Sequence, residues 1–476
     1  MSPSIIHNTT LMMIASVCQK VISLIYFTIL ARQIGPTNIG IYTSALAMTT
    51  IFVIFVDLGF TNVFIRESAR DKAGMQKLLS SVLGAKLLCG AASYAAMFIT
   101  LKALNFEPEF TLMVIISGIT MLFDSFNLTT YGALRAQNNL RYESFSLLAS
   151  QFLSMIIGLT AVFLGLPIYF LILAFTIPSS LNSLYSATIL RRKYGLRVTP
   201  AFEWPELKRI AIMSLPFALA AIFGRIYSYV DVIMLKKIAG NVAAGIYSTP
   251  SKITFAFQFI PMALVASLYP RFSQYFAEDK EKLKQLFLDS LRYLLIIAIP
   301  ISVGIAILSR DIILLFFTAK YAPSILPLRI LIISLVFSFI SFPIGSFLNA
   351  VNKQNVQTGI TAVILFFNFT LNLILIPRLG AVGAAIAALS GNILLAALGY
   401  FYVVKLMAIR QKYILKLTVK LILGAITMAI VLIYSRDLNN LLARVILAGA
   451  AYLATIVSLK AITVLEIKQI TSLIKK

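Results

Sequence analysis

Eight ionisable side chains lie within or close to long apolar stretches of this 476-residue chain: Lys20, Lys86, Arg225, Arg292 and Arg329, and the acids Asp57, Asp124 and Asp231. A charge held in hydrocarbon costs about 2.5–3.5 kcal/mol on the lower published scale, so such residues face a partner, a water-filled pathway or a charged ligand. Lys20 and Arg225 are the sharpest candidates, each deep in its apolar run, and they suit an anionic ligand in a central cavity. Asp57 and Asp231 are their expected counter-charges. Asp231 follows Arg225 by six residues, a spacing that favours pairing across helices over pairing along one. Arg292 and Arg329 sit near run ends, where a long side chain can snorkel to a headgroup. Lys86 and Arg66 are weaker inner-mouth candidates, Arg66 and Arg70 read as leaflet anchors, and Asp124 reads as a hydrogen bond between helices.

Covalent catalysis is not indicated. The chain contains no HExxH, CxxC, P-loop or dinucleotide fingerprint, and no grouping of acid, histidine and nucleophile. Cys18 and Cys89 lie in apolar runs without pairing or metal spacing and read as packed thiols. His7, the single histidine, precedes the first apolar run. The expectation is a transporter, with neither metal nor organic cofactor.

The elements that must position these side chains follow from composition. Hydrophobic residues make up 60% of the chain, charged residues only 12%, and mean hydropathy is +0.93. Soluble domains carry about 25% charged residues. Apolar runs long enough for a hydrocarbon core of about 20 residues, such as "LMMIASVCQKVISLIYFTIL", recur from end to end. The class is therefore an all-α polytopic membrane protein with about fourteen spans: 10–31, 38–65, 78–101, 109–134, 142–165, 168–190, 209–235, 243–270, 285–308, 324–350, 356–377, 381–405, 415–434 and 441–462. The first lacks a signal-peptide pattern and is read as a retained span. Pro178, Pro216, Pro261, Pro300 and Pro343 fall inside these runs and are candidate bends.

With the N-terminus inside, the inner loops hold twenty-one lysines and arginines against nine in the outer loops, which predicts cytoplasmic termini in the cell membrane. The net charge of +24 then serves an anionic leaflet, and no nucleic-acid partner is implied. Residues 1–195 form an expected N-terminal lobe of six spans, 196–208 a cytoplasmic connector, 209–408 a second six-span lobe, and 409–476 two further spans and a cytoplasmic tail. The connector, with Trp204 among basic residues, suits a short interfacial helix.

One repeat supports the two lobes. "ARQIGPTNIGIYTSA" at 31–45 returns as "KKIAGNVAAGIYSTP" at 236–250, and "YGALRAQNNL" at 131–140 returns as "GSFLNAVNKQ" at 345–354. The offsets, 205 and 214 residues, place the copies six spans apart and in parallel orientation, as in one class of secondary transporter.

These strings, together with "DLGFTNVFIRESAR" and "IPRLGAVGAAIAALSG", resemble the polysaccharide exporters and lipid-linked oligosaccharide flippases of the multidrug/oligosaccharidyl-lipid/polysaccharide superfamily, over essentially the whole chain. The resemblance implies a V-shaped pair of lobes around a cavity that opens alternately to each side, and export of a lipid-linked sugar. A phosphate or pyrophosphate headgroup would meet Lys20 and Arg225, and the sugar would meet Tyr26, Tyr227, Tyr229, Asn62 and Gln258. The lipid tail would lie laterally, beside spans 13 and 14. Implied partners are membrane lipids and a glycan polymerase or glycosyltransferase. Span 1 offers a lysine where the peptidoglycan-precursor branch carries several arginines, which argues against that substrate. A cation- or proton-coupled multidrug antiporter resting on Asp57 and Asp231, and a non-transport membrane partner of a polysaccharide assembly complex, are the alternatives.

Overall fold

A computed structural model describes residues 3–407, 411–436, 438, 440–463 and 466, with backbone alone at 3–9, 216–217, 411 and 413. The side chains of His7 and Pro216, and most of the expected C-terminal tail, lie outside the described residues. Every regular element among the described residues is helical: α1 (Pro3–Asp57), α2 (Phe60–Arg70), α3 (Met75–Ala103), α4 (Pro108–Ala136), α5 (Arg141–Phe163), α6 (Phe170–Tyr194), α7 (Trp204–Phe257), α8 (Phe259–Glu278), α9 (Lys280–Ile307), α10 (Ser309–Phe316), α11 (Ile325–Ala350), α12 (Gln354–Leu379), α13 (Ala381–Met407), α14 (Gln411–Tyr434) and α15 (Leu441–Ser458), with a 3-10 turn at Ala319–Ser324. In hydrocarbon the backbone must satisfy its own hydrogen bonds, which the helix alone does segment by segment.

Twelve stretches are long and apolar enough to cross a membrane. Two of them, Thr10–Asp57 and Ala218–Glu278, run to 48 and 61 residues, roughly 70 and 90 Å at 1.5 Å per residue. Each therefore holds two crossings, and fourteen spans result. The chain is a multi-pass membrane protein.

The repeated glycine strings are not loops. In α1 helical geometry fails only at Gly35 (φ 75, ψ 174), with Pro36 opening the next helical turn, and in α7 it fails only at Gly240 (φ 85, ψ 179). A positive φ is open to glycine without strain, so one residue turns each helix without a connecting segment. The second repeat leaves its own trace: Asn138 (φ 57) and Asn352 (φ 58) both enter the left-handed region where α4 and α11 end, a conformation asparagine tolerates.

The chain forms two compact units, Met1–Lys252 with Thr361–Ala384, and Ile253–Ile360 with Ala385–Lys476. In the first, Phe60, Phe64, Leu79, Val82 and Leu134 build a core where α2, α3 and α4 meet. In the second, Leu421, Met428 and Leu432 of α14 pack with Tyr452 and Ile456 of α15 against Leu295 and Ile299 of α9. The connector is extended rather than helical up to Trp204. Gln76 of α3 exchanges two hydrogen bonds with the Arg197 backbone at 2.7 and 2.9 Å, the Ala201 amide donates to Ser80 at 2.8 Å, and Lys77 pairs with Glu203 at 2.8 Å. Of the candidate bends, Pro178, Pro300 and Pro343 lie within continuous helices, whereas Pro261 falls in the first turn of α8, where the missing amide hydrogen costs nothing.

Candidate functional site

Three clusters in the first unit hold Asp57, Asp124, Arg225 and Asp231 among the residues singled out by sequence. One is the meeting of the two glycine strings. A Cβ on Gly40 would sit 1.8 Å from the Asn241 carbonyl oxygen, and one on Gly245 would sit 1.9 Å from that of Pro36. The two helix breaks therefore touch backbone to backbone, each glycine admitting its counterpart. Thr43 and Ser248, also 205 residues apart, share a hydrogen bond of 2.8 Å. Around this contact Lys236 pairs with Glu107 at 3.2 Å, the Asn241 amide donates to Glu107 at 3.2 Å, and Lys237 donates to the Leu104 carbonyl. Glu107, in the short turn between α3 and α4, is held below the ordinary carboxylate value by the hydrogen bond from Asn241 and then by Lys236.

The second cluster surrounds a cavity of about 560 Å³ that reaches from Gln19 and Asp57 on α1 across α4, α5 and α6 to Arg225 on α7. Seventeen of its twenty-five lining residues carry a hydroxyl, amide or charged group, which in an apolar bundle marks a place built for a polar occupant. Asp124 opens into it and accepts a hydrogen bond from Ser179, so the expected helix-to-helix bond is present between α4 and α6. Asn127 donates to the Ser179 carbonyl at 3.0 Å and accepts from Ser183 at 2.8 Å. Arg135 grips Glu143 with both sides of its guanidinium.

The third cluster is the cage of Asp231. Tyr247 donates to one carboxylate oxygen at 2.8 Å, Asn372 to the other at 2.7 Å, and Asn372 also donates to Asn368 at 3.0 Å. Asn368 and Asn372 are fully buried, and among the described residues the Asn372 carbonyl oxygen has no partner.

The counter-charge assignments need correction. Asp57 does not pair with Lys20 or Arg225: it forms an ion pair with Lys86 at 2.5 Å and accepts from Thr61 at 2.5 Å. Lys86, 5% exposed, donates further to Thr61 at 2.8 Å and to the Ser125 carbonyl at 2.9 Å. An ammonium this deep is tolerated only with its charge and protons matched, so Lys86 ties α3 to the end of α1. Asp231 likewise meets neutral donors, because its helix turns it toward Tyr247 and Asn372.

Among the described residues Lys20 and Arg225 make no ion pair. Lys20 is exposed and Arg225 half-buried on the cavity wall. Lys252 was not singled out in the sequence although it lies inside the span 243–270. It stands 5.7 Å from the Phe27 ring centre and within electrostatic reach of Lys20, and it too forms no ion pair among the described residues. Two lysines without a carboxylate among the described residues, within electrostatic reach of each other, favour an anionic ligand.

The remaining candidates are dispersed. Tyr26 is buried at 2% exposure with its hydroxyl pressed on Gly158, a packing role between α1 and α5. Tyr227 is half-buried with its hydroxyl in the field of Asp231, and Tyr229 is half-buried on the same helix. Asn62 is exposed on α2, and Arg66 bonds Glu67 at 3.0 Å. Gln258 stands at the one-residue break between α7 and α8, in the second unit. In that unit Arg292 grips Glu466 at 3.0 Å and Arg329 donates to Ser309 at 2.8 Å. That unit also holds a cavity of about 740 Å³ lined almost wholly by apolar residues of α9, α11, α13 and α14, among them Leu295, Phe337, Ile393 and Ile422.

Among the described residues the helices form a membrane bundle with a cavity lined largely by residues that carry hydroxyl, amide or charged groups. The sequence model for polysaccharide biosynthesis proteins matches residues 5–276, and the chain belongs to that family. The MatE model also matches, over residues 216–374. The chain is 22% identical over 408 residues to the capsular polysaccharide biosynthesis protein CapF of Staphylococcus aureus, covering 83% of this chain and 99% of that one. It is 23% identical over 236 residues to the "Probable low-salt glycan biosynthesis flippase Agl15" of Haloferax volcanii, about half of each chain. Among solved structures, the lipid II flippase MurJ in an inward closed conformation superposes with a TM-score of 0.77 at 18% identity, over 94% of this chain and 98% of that one. The fold is that of the multidrug/oligosaccharidyl-lipid/polysaccharide superfamily.

Proposed function

We propose that this protein is a flippase that moves a lipid-linked oligosaccharide precursor across the cell membrane, from a cytoplasmic to an outer leaflet. The observation that carries the reading is the set of cations left without carboxylates, Lys20 and Lys252 near one another and Arg225 on the polar cavity wall. Charged groups that the fold declines to neutralise inside a membrane are a binding site for opposite charge, and a pyrophosphate supplies it. The family and the flippase relative agree with this reading.

In this reading the paired glycine breaks form the outer gate, closed here, and the termini are cytoplasmic in accordance with the charge asymmetry of the loops. A further proposal concerns the driving force. The Asp231 cage, with one carboxylate and two amides buried on α7 and α12, suits coupling to Na+ or H+. The same cage, within the segment matched by the MatE model, is what favours the antiporter as the second reading. Glycan polymerases or glycosyltransferases are proposed partners at the inner face.

The test is transbilayer movement of a fluorescent lipid-pyrophosphate-sugar in proteoliposomes. Wild type should move it, and Lys20→Gln with Lys252→Gln should slow it at least tenfold at matched insertion. Movement of cationic drugs with no movement of the lipid, abolished by Asp231→Asn, would favour the antiporter.

A further inference from the structure

The polar cavity of the first unit contains more hydrogen-bonding capacity than the protein itself uses. Glu143 is engaged by Arg135, Asp57 by Lys86, and Asn127 by Ser179 and Ser183. Three groups on its wall remain available. Asp124 is exposed to the cavity and accepts a hydrogen bond from Ser179 alone among the described residues. Among the described residues the Gln151 amide nitrogen and the Ser125 hydroxyl are buried without a partner, in residues only 8% and 2% exposed. A buried polar group left unmade costs the full price of its desolvation. Two on one wall, beside an under-used carboxylate, point to a ligand that completes them.

The chemistry of these groups selects the ligand. The Gln151 nitrogen is a donor, so a bare cation would leave it unsatisfied. Asp124 repels a phosphate, and a hydrocarbon tail would leave every one of these groups unsatisfied. A neutral polyhydroxyl compound both donates and accepts at each hydroxyl, and so matches a carboxylate, an amide and a hydroxyl together. Phe175 and Tyr131 add aromatic surface to the same wall. The volume of about 560 Å³ falls within the usual range for small-molecule sites, roughly 300–1,000 Å³, and far exceeds a bare ion. Arg225 lines the cavity as well, so a pyrophosphate held there would place the attached sugar against this wall.

We infer that this cavity is a glycan-reading site, in which Asp124, Gln151 and Ser125 hydrogen-bond the sugar attached to the lipid pyrophosphate. The inference rests on the flippase reading and adds to it where substrate specificity resides. A site built to hydrogen-bond hydroxyls discriminates strongly against an analogue lacking them.

The experiment measures binding to the full chain in lipid nanodiscs of two probes: the lipid-linked oligosaccharide fraction extracted from the source cell's membranes, and a polyprenyl pyrophosphate carrying no sugar. Wild type should prefer the glycosylated probe by roughly tenfold or more. Gln151→Leu, Asp124→Asn and Ser125→Ala should each bring that ratio toward one, with a cooperative melting transition retained; the serine change removes one oxygen atom and is the least disturbing to packing. Variants that keep the wild-type ratio, or a ratio that follows sodium concentration in wild type and loses that dependence in Asp124→Asn, would overturn the glycan site. Equal binding of both probes by wild type would overturn it while leaving the flippase reading intact. Binding of neither probe would overturn both.

Discussion

At the residue scale, the deciding feature is which buried charges the protein neutralises and which it leaves open. Lys86 and Asp57 neutralise each other across α3 and α1, so removing one partner strands the other. Lys86→Met is expected to cost about 3–5 kcal/mol of unfolding free energy, and Asp57→Leu combined with Lys86→Met to recover most of it, as read by denaturant unfolding in detergent. A single variant as stable as wild type would contradict the pairing. Glu107 gives a pH signature. Its carboxyl lies below the ordinary 4.5 because Asn241 and then Lys236 bond the ionised form. A carboxylate depressed by folding contributes stability that is whole above the unfolded value and is lost as pH falls through the folded one. The melting difference between wild type and Glu107→Gln should therefore be constant from pH 7 down to about 4.5 and disappear at lower pH. A difference already gone at about pH 6 would contradict the bonds from Asn241 and Lys236 to the ionised Glu107.

The sequence revealed these residues unequally. Lys20, Arg225, Asp57 and Asp231 stood out because charge is rare in apolar runs. Their partners did not, since spacing along one helix says nothing about the face that a neighbouring helix presents. Lys86 was read as an inner-mouth cation and turned out to be the partner of Asp57. Lys252 carried a visible signal, a lysine inside the span 243–270, two residues after Pro250. Ser125 and Gln151 had none, because small polar residues in membrane helices are ordinary packing groups.

At the scale of elements, the repeat was legible and its geometry was not. The offset of 205 residues is visible in the strings, yet only the structure shows that Gly40 and Gly245 admit each other's partner strand of backbone. The loops expected at 32–37 and 236–242 contract to one left-handed glycine each, because glycine turns a helix within a single residue. An added methyl group at either contact must push the helices apart. Gly40→Ala and Gly245→Ala are each expected to cost about 1–3 kcal/mol and to reduce disulfide formation between cysteines placed at 43 and 248. Undiminished cross-linking with unchanged stability would rule out the close contact. The connector is held extended up to Trp204 by hydrogen bonds with Gln76 and Ser80, and the stretch from Trp204 that suggested an amphipathic interfacial piece forms the first turns of α7.

At the scale of the whole molecule, the polar cavity of the first unit, with Arg225 on its wall, and the lysines Lys20 and Lys252 provide for a substrate with a charged and a hydroxylated part. A lipid-linked oligosaccharide has that composition, and the family of the chain makes such substrates the natural cargo. If the paired glycine strings are the gate through which it leaves, locking them should stop transport without unfolding the protein. The most direct measurement is flux of a fluorescent lipid-pyrophosphate-sugar through proteoliposomes containing the Thr43→Cys, Ser248→Cys variant, oxidised and then reduced. The account predicts movement that falls at least tenfold on oxidation and returns on reduction. Full movement with the cross-link formed would contradict the gate, and no movement in either state, with wild type equally silent, would contradict the flippase itself.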